Sequence, residues 1–237
     1  MTEFDDNETK EYLHKIVVVG VSFSLSSIIN YLLLIKSTGK TSVIQKYVNG
    51  LFSRSYKVTI GVDFALKLMP IDEKTNVRIQ FWDIAGQERY GNMTRVFYKE
   101  AMGALLVFDV TRLNTFDAVK FWKKDIDQKV FTDKKKPIPT VLLANKIDLI
   151  EQDDENWISF REKMDKYCKE KGFIKWFETS AKEDVNLHSA TEFLVKYILK
   201  NNIKPYKDEE DEQSIQLKEE TEEMERNESN SNSGGCC

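Results

Sequence analysis

Asp83, Gly86 and Gln87 set a carboxylate, a bare backbone N–H and an amide within one short run, Trp82 to Arg89. That trio suits phosphate and a hard metal. The acid can hold Mg²⁺ through water, the glycine can bring its N–H against a terminal phosphate, and the amide can orient a water. Alone, Asp-x-x-Gly also reads as a strand followed by a polar turn. Three further groups give it weight. Ser37-Thr38-Gly39-Lys40-Thr41-Ser42 holds the second half of a phosphate loop. In such a loop backbone N–H groups wrap the phosphates, lysine reaches the β and γ phosphates, and a hydroxyl ligates Mg²⁺. Thr59 offers a second hydroxyl. Asn145-Lys146-Ile147-Asp148 suits guanine, because a carboxylate accepts from both the ring N–H and the exocyclic amine, a pattern adenine lacks. The Ser180-Ala181-Lys182 loop can add a backbone N–H to the guanine oxygen. The stem of Lys146 can cover one face of the base, and Phe52 an edge.

One feature of the phosphate loop departs from the motif. Its first glycine belongs at position 34, where leucine stands. The glycine that does end a preceding strand is Gly20, with eighteen residues between it and Gly39 where the motif needs four. Geometry rather than entropy is the harder objection, since closing a longer loop costs only about (3/2)RT ln n. The block from Val21 to about Ile35 is rich in Ser, Ile, Leu and Asn. Ile16 to Ile35 carries no charge over twenty residues, which meets the length of a membrane span. Gly20, Ser22, Ser24, Ser26, Ser27 and Asn30 dilute that run, and the acidic region before it fits a signal peptide worse still.

The elements that must position these groups can be read from periodicity. Lys15 to Gly20 reads as a buried parallel strand. A helix carries Val43, Ile44, Tyr47 and Val48 on its apolar face. Leu51 to Gly61 is a polar connection holding Phe52, Tyr56 and Thr59. A strand then alternates through Phe64, Leu66 and Leu68, turns over Pro70 to Asn76, and returns through Val77, Ile79 and Phe81. Met93 to Glu100 reads as a helix, and Gly103 to Asp109 as a second buried strand. Asn114 caps a helix bearing Phe116, Val119, Trp122 and Ile126. Thr140 to Ala144 is a third buried strand. A polar helix, a strand around Trp176 and Phe177, and a helix with Phe193, Leu194, Tyr197 and Ile198 complete the order. Strands alternating with helices give a parallel-rich sheet covered on both faces, with every motif at or beyond a strand's carboxyl end.

A chain of 237 residues suits one domain plus appendages. Residues 207–237 hold eleven acids against Lys207, Lys218 and Arg226, so the net charge of −4 hides a tail at −8 and a body at +4. No basic stripe with interleaved aromatics points to nucleic acid. Three cysteines, Cys168, Cys236 and Cys237, exclude a disulfide framework and suit a reducing compartment. Residues 1–14 read as a short disordered acidic arm, 15–200 as the folded domain with an atypical insertion about 21–35, and 201–237 as a disordered acidic tail reaching roughly 35 Å. Cys168 reads as a half-buried thiol, and His14 and His188 need no catalytic role.

With these motifs in this order, residues 15–20 and 37–200 resemble the Ras superfamily of small GTPases. Thr59-Ile-Gly-Val-Asp-Phe, Trp82 to Arg89 and Leu106-Val-Phe-Asp-Val resemble its Rab family. Ile84 and the run Gly91-Asn-Met-Thr-Arg-Val-Phe-Tyr-Lys-Glu-Ala resemble the Rab thirty-two and thirty-eight subgroup. The resemblance implies an α/β P-loop G domain, a six-stranded mostly parallel sheet with helices on both faces, GTP and GDP as ligands, and switch segments about 51–62 and 84–98. Gln87 falls on the water-orienting catalytic position. An arginine from a GTPase-activating protein would add roughly the 10³ to 10⁵ in rate usual for this class. Exchange factors, effectors, and a GDP-dissociation inhibitor or escort protein are the implied partners. The ending Gly234-Gly235-Cys236-Cys237 implies double geranylgeranylation, against a stray thiol pair or a vicinal disulfide. An acidic tail offers no polybasic signal, so both lipids matter. The implied location is the cytoplasmic face of lysosome-related or phagosomal membranes.

The insertion splits the functional reading. Lys36 stands where the family keeps a small residue beside the γ-phosphate, so nucleotide binding is expected to survive in weakened form while hydrolysis suffers more. The alternatives are a non-catalytic Rab-like scaffold with a disrupted phosphate loop, or a block translated from a retained intron and lacking in the cellular protein.

Overall fold

The apolar runs of the sequence become strands with a core on each side, and their alternation decides which core each residue joins. In the computed structural model, which describes residues 9–20, 37–55, 57–86, 94–151 and 153–206, six strands form one sheet in the order β2-β3-β1-β4-β5-β6. They are β1 (Lys10–Val19), β2 (Val62–Asp72), β3 (Thr75–Ile84), β4 (Gly103–Asp109), β5 (Thr140–Asn145) and β6 (Lys175–Thr179). Only β2 and β3 pair antiparallel; the other pairings are parallel. Ile16, Val18, Leu105, Val107, Val141 and Leu143 face helices α1 (Lys40–Asn49) and α6 (Leu187–Lys200). Val17, Val19, Leu106, Phe108, Leu142 and Ala144 face the other way. There they meet α2 (Thr94–Tyr98), α3 (Leu113–Asp117), α4 (Val119–Lys129) and α5 (Glu155–Lys171). Strands buried on both faces need continuous apolar runs, which is why β4 and β5 were legible.

Four expectations are corrected. First, the strand assigned to Lys15–Gly20 begins at Lys10, inside the stretch read as a disordered arm. Its polar start pairs with the half-buried start of β3, and Arg78 Nε lies 2.6 Å from Glu11 Oε1. Second, the turn over Pro70–Asn76 narrows to Glu73 and Lys74, because β2 continues through an irregularity at Pro70/Asp72. Third, Asn114 lies inside α3 and does not cap it. Thr115 Oγ1 donates to Arg112 O at 2.7 Å and accepts from Asp109 N at 3.0 Å, fixing that helix start instead. Fourth, residues 201–205 do not belong to a disordered tail. Ile203 packs on the core, Pro205 bridges Thr132, and the compact unit ends at Pro205. On β2, whose alternation left the inward face open, Phe64, Leu66 and Leu68 face outward, each more than half exposed, because α1 covers the opposite side, where Met69 is buried.

Tyr56, Gln87, Met93, the block at 21–35 with Lys36, the tail at 207–237, and Cys236 and Cys237 lie outside the described residues. Among the described residues no helix is long and apolar enough to cross a membrane, and Ile16–Val19 belong to β1. Cys168 is more covered than expected, at 4% exposure, and burial pushes its thiol up to about 12.

His14 is 2% exposed on β1, its Nδ1 without a hydrogen-bond partner, and burial lowers its pKa to about 4. The folded value lies below the usual 6.5, so the unfolded chain binds the extra proton between those values and stability falls as pH falls through that window. The loss approaches about 3 kcal/mol by pH 4. Urea unfolding of the wild type and His14→Leu across pH 7 to 4 checks it: the variant should lose less stability, and parallel curves would contradict the assignment.

Candidate functional site

At the carboxyl edge of the sheet, β1, β3, β4 and β5 deliver their last residues beside the start of α1. Gly20 ends β1 against β4, where any Cβ would run into Val107 O and stand 3.0 Å from Thr38 Oγ1. Lys40, in the first turn of α1, donates from Nζ to Gly20 O at 3.1 Å. The two ends of the interrupted phosphate loop are therefore neighbours in space, although eighteen residues separate Gly20 from Gly39 in sequence. Gly39 adopts φ 94, and a Cβ there would collide with Asn145 Nδ2, so the close approach and the backbone both require glycine. Ser37 Oγ accepts from Gly39 N at 3.2 Å. Ser42 is half-buried on the first turns of α1, whose free N–H groups make that end a natural anion site.

Three chain segments meet at Thr41. Its hydroxyl donates to Asp83 Oδ2 and lies 2.9 Å from Thr59 Oγ1, and Thr59 Oγ1 reaches Asp83 Oδ2 at 3.4 Å. Ala85 N donates to Gly61 O at 2.9 Å, tying the Thr59 connection to the end of β3. Gly86 follows and is buried. Lys40 and Asp83 are both nearly inaccessible, at 3% exposure. Burial lowers the Lys40 pKa and Asp83 opposes it. Burial raises the Asp83 pKa, with Lys40, Thr41 and Thr59 working against it and Asp63 adding to it. Asp83 Oδ1 and Thr38 Oγ1 are buried without a hydrogen-bond partner.

The base-reading loops sit beside this cluster. Asn145 donates from Nδ2 to Thr38 O at 2.9 Å and accepts at Oδ1 from Ala181 N at 3.2 Å and Thr179 Oγ1 at 3.4 Å. It thus braces three loops against one another, and of the backbone N–H groups in the Ser180-Ala181-Lys182 loop that of Ala181 is engaged by Asn145. Lys146 has φ 75, and its ammonium donates to Ser37 O at 2.9 Å and Asp109 Oδ2 at 2.7 Å. Asp148 accepts from Ser180 Oγ at 2.6 Å, and Lys182 Nζ lies 3.9 Å from its Oδ2. Lys182 pairs also with Glu183. Phe52 is exposed on its connection.

Asp109 was missed by the motif reading. It is buried at the end of β4; burial works to raise its pKa, but Lys146, Thr111 and Arg112 outweigh this and hold it below the usual range. The available signal was the one that marked Asp83, an acid closing an apolar strand. Asp109 anchors Lys146 and so sets the direction of that side chain across the site.

The chain is similar to known proteins over most of its length. The Ras family model matches residues 32–200, starting inside the inserted block and so beyond β1. Ras-related protein Rab-32A of Dictyostelium discoideum is 55% identical over 84% of this chain and 84% of its own. Ras-related protein Rab-32 of Sus scrofa is 50% identical over 90% of this chain and 86% of its own. Ras-related protein Rab-7L1 of Rattus norvegicus is 40% identical over 82% and 86% respectively.

Proposed function

The chain belongs to the Ras family, in its Rab branch and Rab-32 subgroup, and from that premise we propose which of its residues run the switch. The protein binds guanine nucleotide, hydrolyses GTP and acts in membrane trafficking through regulators and effectors. The non-catalytic scaffold and the retained-intron reading are not favoured.

Lys40 and the backbone from Ser37 to Ser42 take the β and γ phosphates, with the α1 N-terminus behind them. Thr41, Thr59 and Asp83 would hold Mg²⁺, and the fit is good. Their donor atoms are all oxygen, the preference of that ion. Asp83 Oδ1 is orphaned, and among the described residues no group of three His, Cys, Asp or Glu forms a rival site. Burial penalises charge on both Lys40 and Asp83, so a polyanion with its cation relieves both at once. Bound there, the ion would neutralise charge developing on the phosphates. Gly86 gives its N–H to the γ-phosphate. Gln87 orients the attacking water. Asp148 reads guanine, and Asn145, Lys146, Ser180, Ala181 and Lys182 shape its surroundings, with Phe52 covering an edge of the base. What carries the reading is one observation: the Thr41 hydroxyl meets Thr59 and Asp83 from two other segments while Lys40 spans to Gly20.

Chelating the metal with EDTA should therefore speed release of a fluorescent GDP by about 10²-fold, the effect of losing roughly 3 kcal/mol. Thr41→Ala should release quickly with or without EDTA. A wild-type rate indifferent to EDTA would contradict the metal assignment.

Outside the nucleotide edge, the outward side of β2 offers Phe64, Leu66 and Leu68 beside Trp82, with the Phe64 and Trp82 rings 4.4 Å apart edge to face. A contiguous apolar surface of this kind suits effector contact. Cys236 and Cys237 carry two geranylgeranyl chains, which an escort protein or GDP-dissociation inhibitor shelters in the cytosol; an exchange factor and a GTPase-activating protein drive the cycle. The membranes served are lysosome-related or phagosomal, by analogy with the subgroup.

A further inference from the structure

Opposite the nucleotide edge, the loop between α4 and β5 is a small built hairpin. Phe131 pairs antiparallel with Pro137, Thr132 N donates to Lys136 O at 2.8 Å, and Lys135 N donates to Thr132 O at 2.8 Å. The buried Thr132 hydroxyl accepts from Lys136 N at 3.3 Å, and Lys135 turns the tip at φ 56. Thr132 also bridges Pro205, and Asp133 N donates to Lys204 O at 2.9 Å, which brings the end of the folded chain alongside.

Lys134, Lys135, Lys136 and Lys204 are consequently exposed together, with Phe131 37% exposed at the foot of the hairpin. No carboxylate among the described residues pairs with any of these four ammonium groups. The loop's own acid, Asp133, accepts from Lys134 N.

We infer that this hairpin and Lys204 form a docking surface for an anionic lipid membrane. The inference deepens the lipid-anchor reading and rests on it. Three observations select a membrane as the occupant. Cations around an exposed aromatic ring are what an interface of charged headgroups and acyl chains accommodates. The folded unit ends at Pro205, on this surface, and the sequence that follows ends in Cys236-Cys237, where the lipids attach. The intervening stretch, 207–237, carries eleven acids against three bases, so attraction to an anionic leaflet must come from the body. The location also fits the switch. β5 runs from Thr140 to Asn145, about 20 Å of strand between this surface and the nucleotide edge, so docking leaves that edge free.

The test uses full-length, doubly prenylated, GDP-loaded protein and sedimentation with vesicles of phosphatidylcholine alone or with added phosphatidylserine. Each lysine near an anionic leaflet is worth about fivefold in partition, and added salt weakens this. Wild type should therefore favour the anionic vesicles by roughly tenfold to a hundredfold at low salt. Lys134→Gln/Lys136→Gln/Lys204→Gln should lose most of that excess while keeping wild-type GDP affinity and wild-type binding to neutral vesicles. Equal wild-type binding to both vesicle types would overturn the inference. So would an excess that survives the three substitutions, which would leave an acidic protein as the partner of this surface. Cys236→Ser/Cys237→Ser separates the two claims: unchanged binding to neutral vesicles would sink the lipid anchor, while a remaining lysine-dependent preference would still support the surface.

Discussion

Replacing Asp148 with asparagine is expected to move base preference from guanine to xanthine by about 10³-fold. The carboxylate accepts from two guanine donors, and hydrogen bonds to a charged group contribute about 1.5–3 kcal/mol each, so losing both costs about 4 kcal/mol. Xanthine carries a carbonyl in place of the exocyclic amine, and an amide NH₂ can donate to it. The surroundings make the change local. Asp148 is held by Ser180 Oγ at 2.6 Å and its side chain is 8% exposed, so asparagine would inherit a fixed position. Competition of GDP and XDP against a fluorescent nucleotide measures the swap. Unchanged preference in a folded variant would remove Asp148 from the base site.

The second large effect concerns the block that interrupts the phosphate loop. Excising residues 21–34 leaves Ile35, Lys36, Ser37 and Thr38 between Gly20 and Gly39, restoring the four-residue spacing. The flanks are ready for it, since Lys40 Nζ already reaches Gly20 O at 3.1 Å. Loop-closure entropy then falls by about 1 kcal/mol, a gain of a few degrees in Tm. The kinetic gain should be larger. A displacement of about 1 Å at reacting groups costs roughly 10²-fold, so single-turnover hydrolysis by the shortened protein should rise toward that factor. Wild-type hydrolysis at the same rate as the excised form would show that the block does not disturb the γ-phosphate.

What was legible in the sequence follows from where each residue sits. β4 and β5 declared themselves as apolar runs because both faces are buried. β1 did not declare its start, since Lys10 and Glu11 are exposed and their pairing with Thr75 and Asn76 leaves no apolar period. The alternation of β2 was visible, but which face is inside depends on α1, and no local rule carries that. Lys40, Thr41, Thr59, Asp83 and Asp148, picked out by motif order, lie at or beyond the carboxyl ends of the strands. The roles inside that edge were less readable. Asn145, read as suited to guanine, also braces Thr38, Thr179 and Ala181, which no motif announces. Asp109 was passed over although it fixes Lys146. Counting along the chain failed the phosphate loop; the fold brings Gly20 and Lys40 together regardless of the count.

The most direct check is the nucleotide content of the full-length protein, purified in Mg²⁺ without added ligand, denatured, and resolved by reversed-phase chromatography. About one guanine nucleotide per chain, GDP above GTP, is the expected result, with Lys40→Ala and Asp148→Ala coming through empty. A wild-type protein that is folded yet carries no guanine nucleotide, and takes up none when GDP and Mg²⁺ are supplied, would contradict the site assembled here from Lys40, Thr41, Thr59, Asp83 and Asp148.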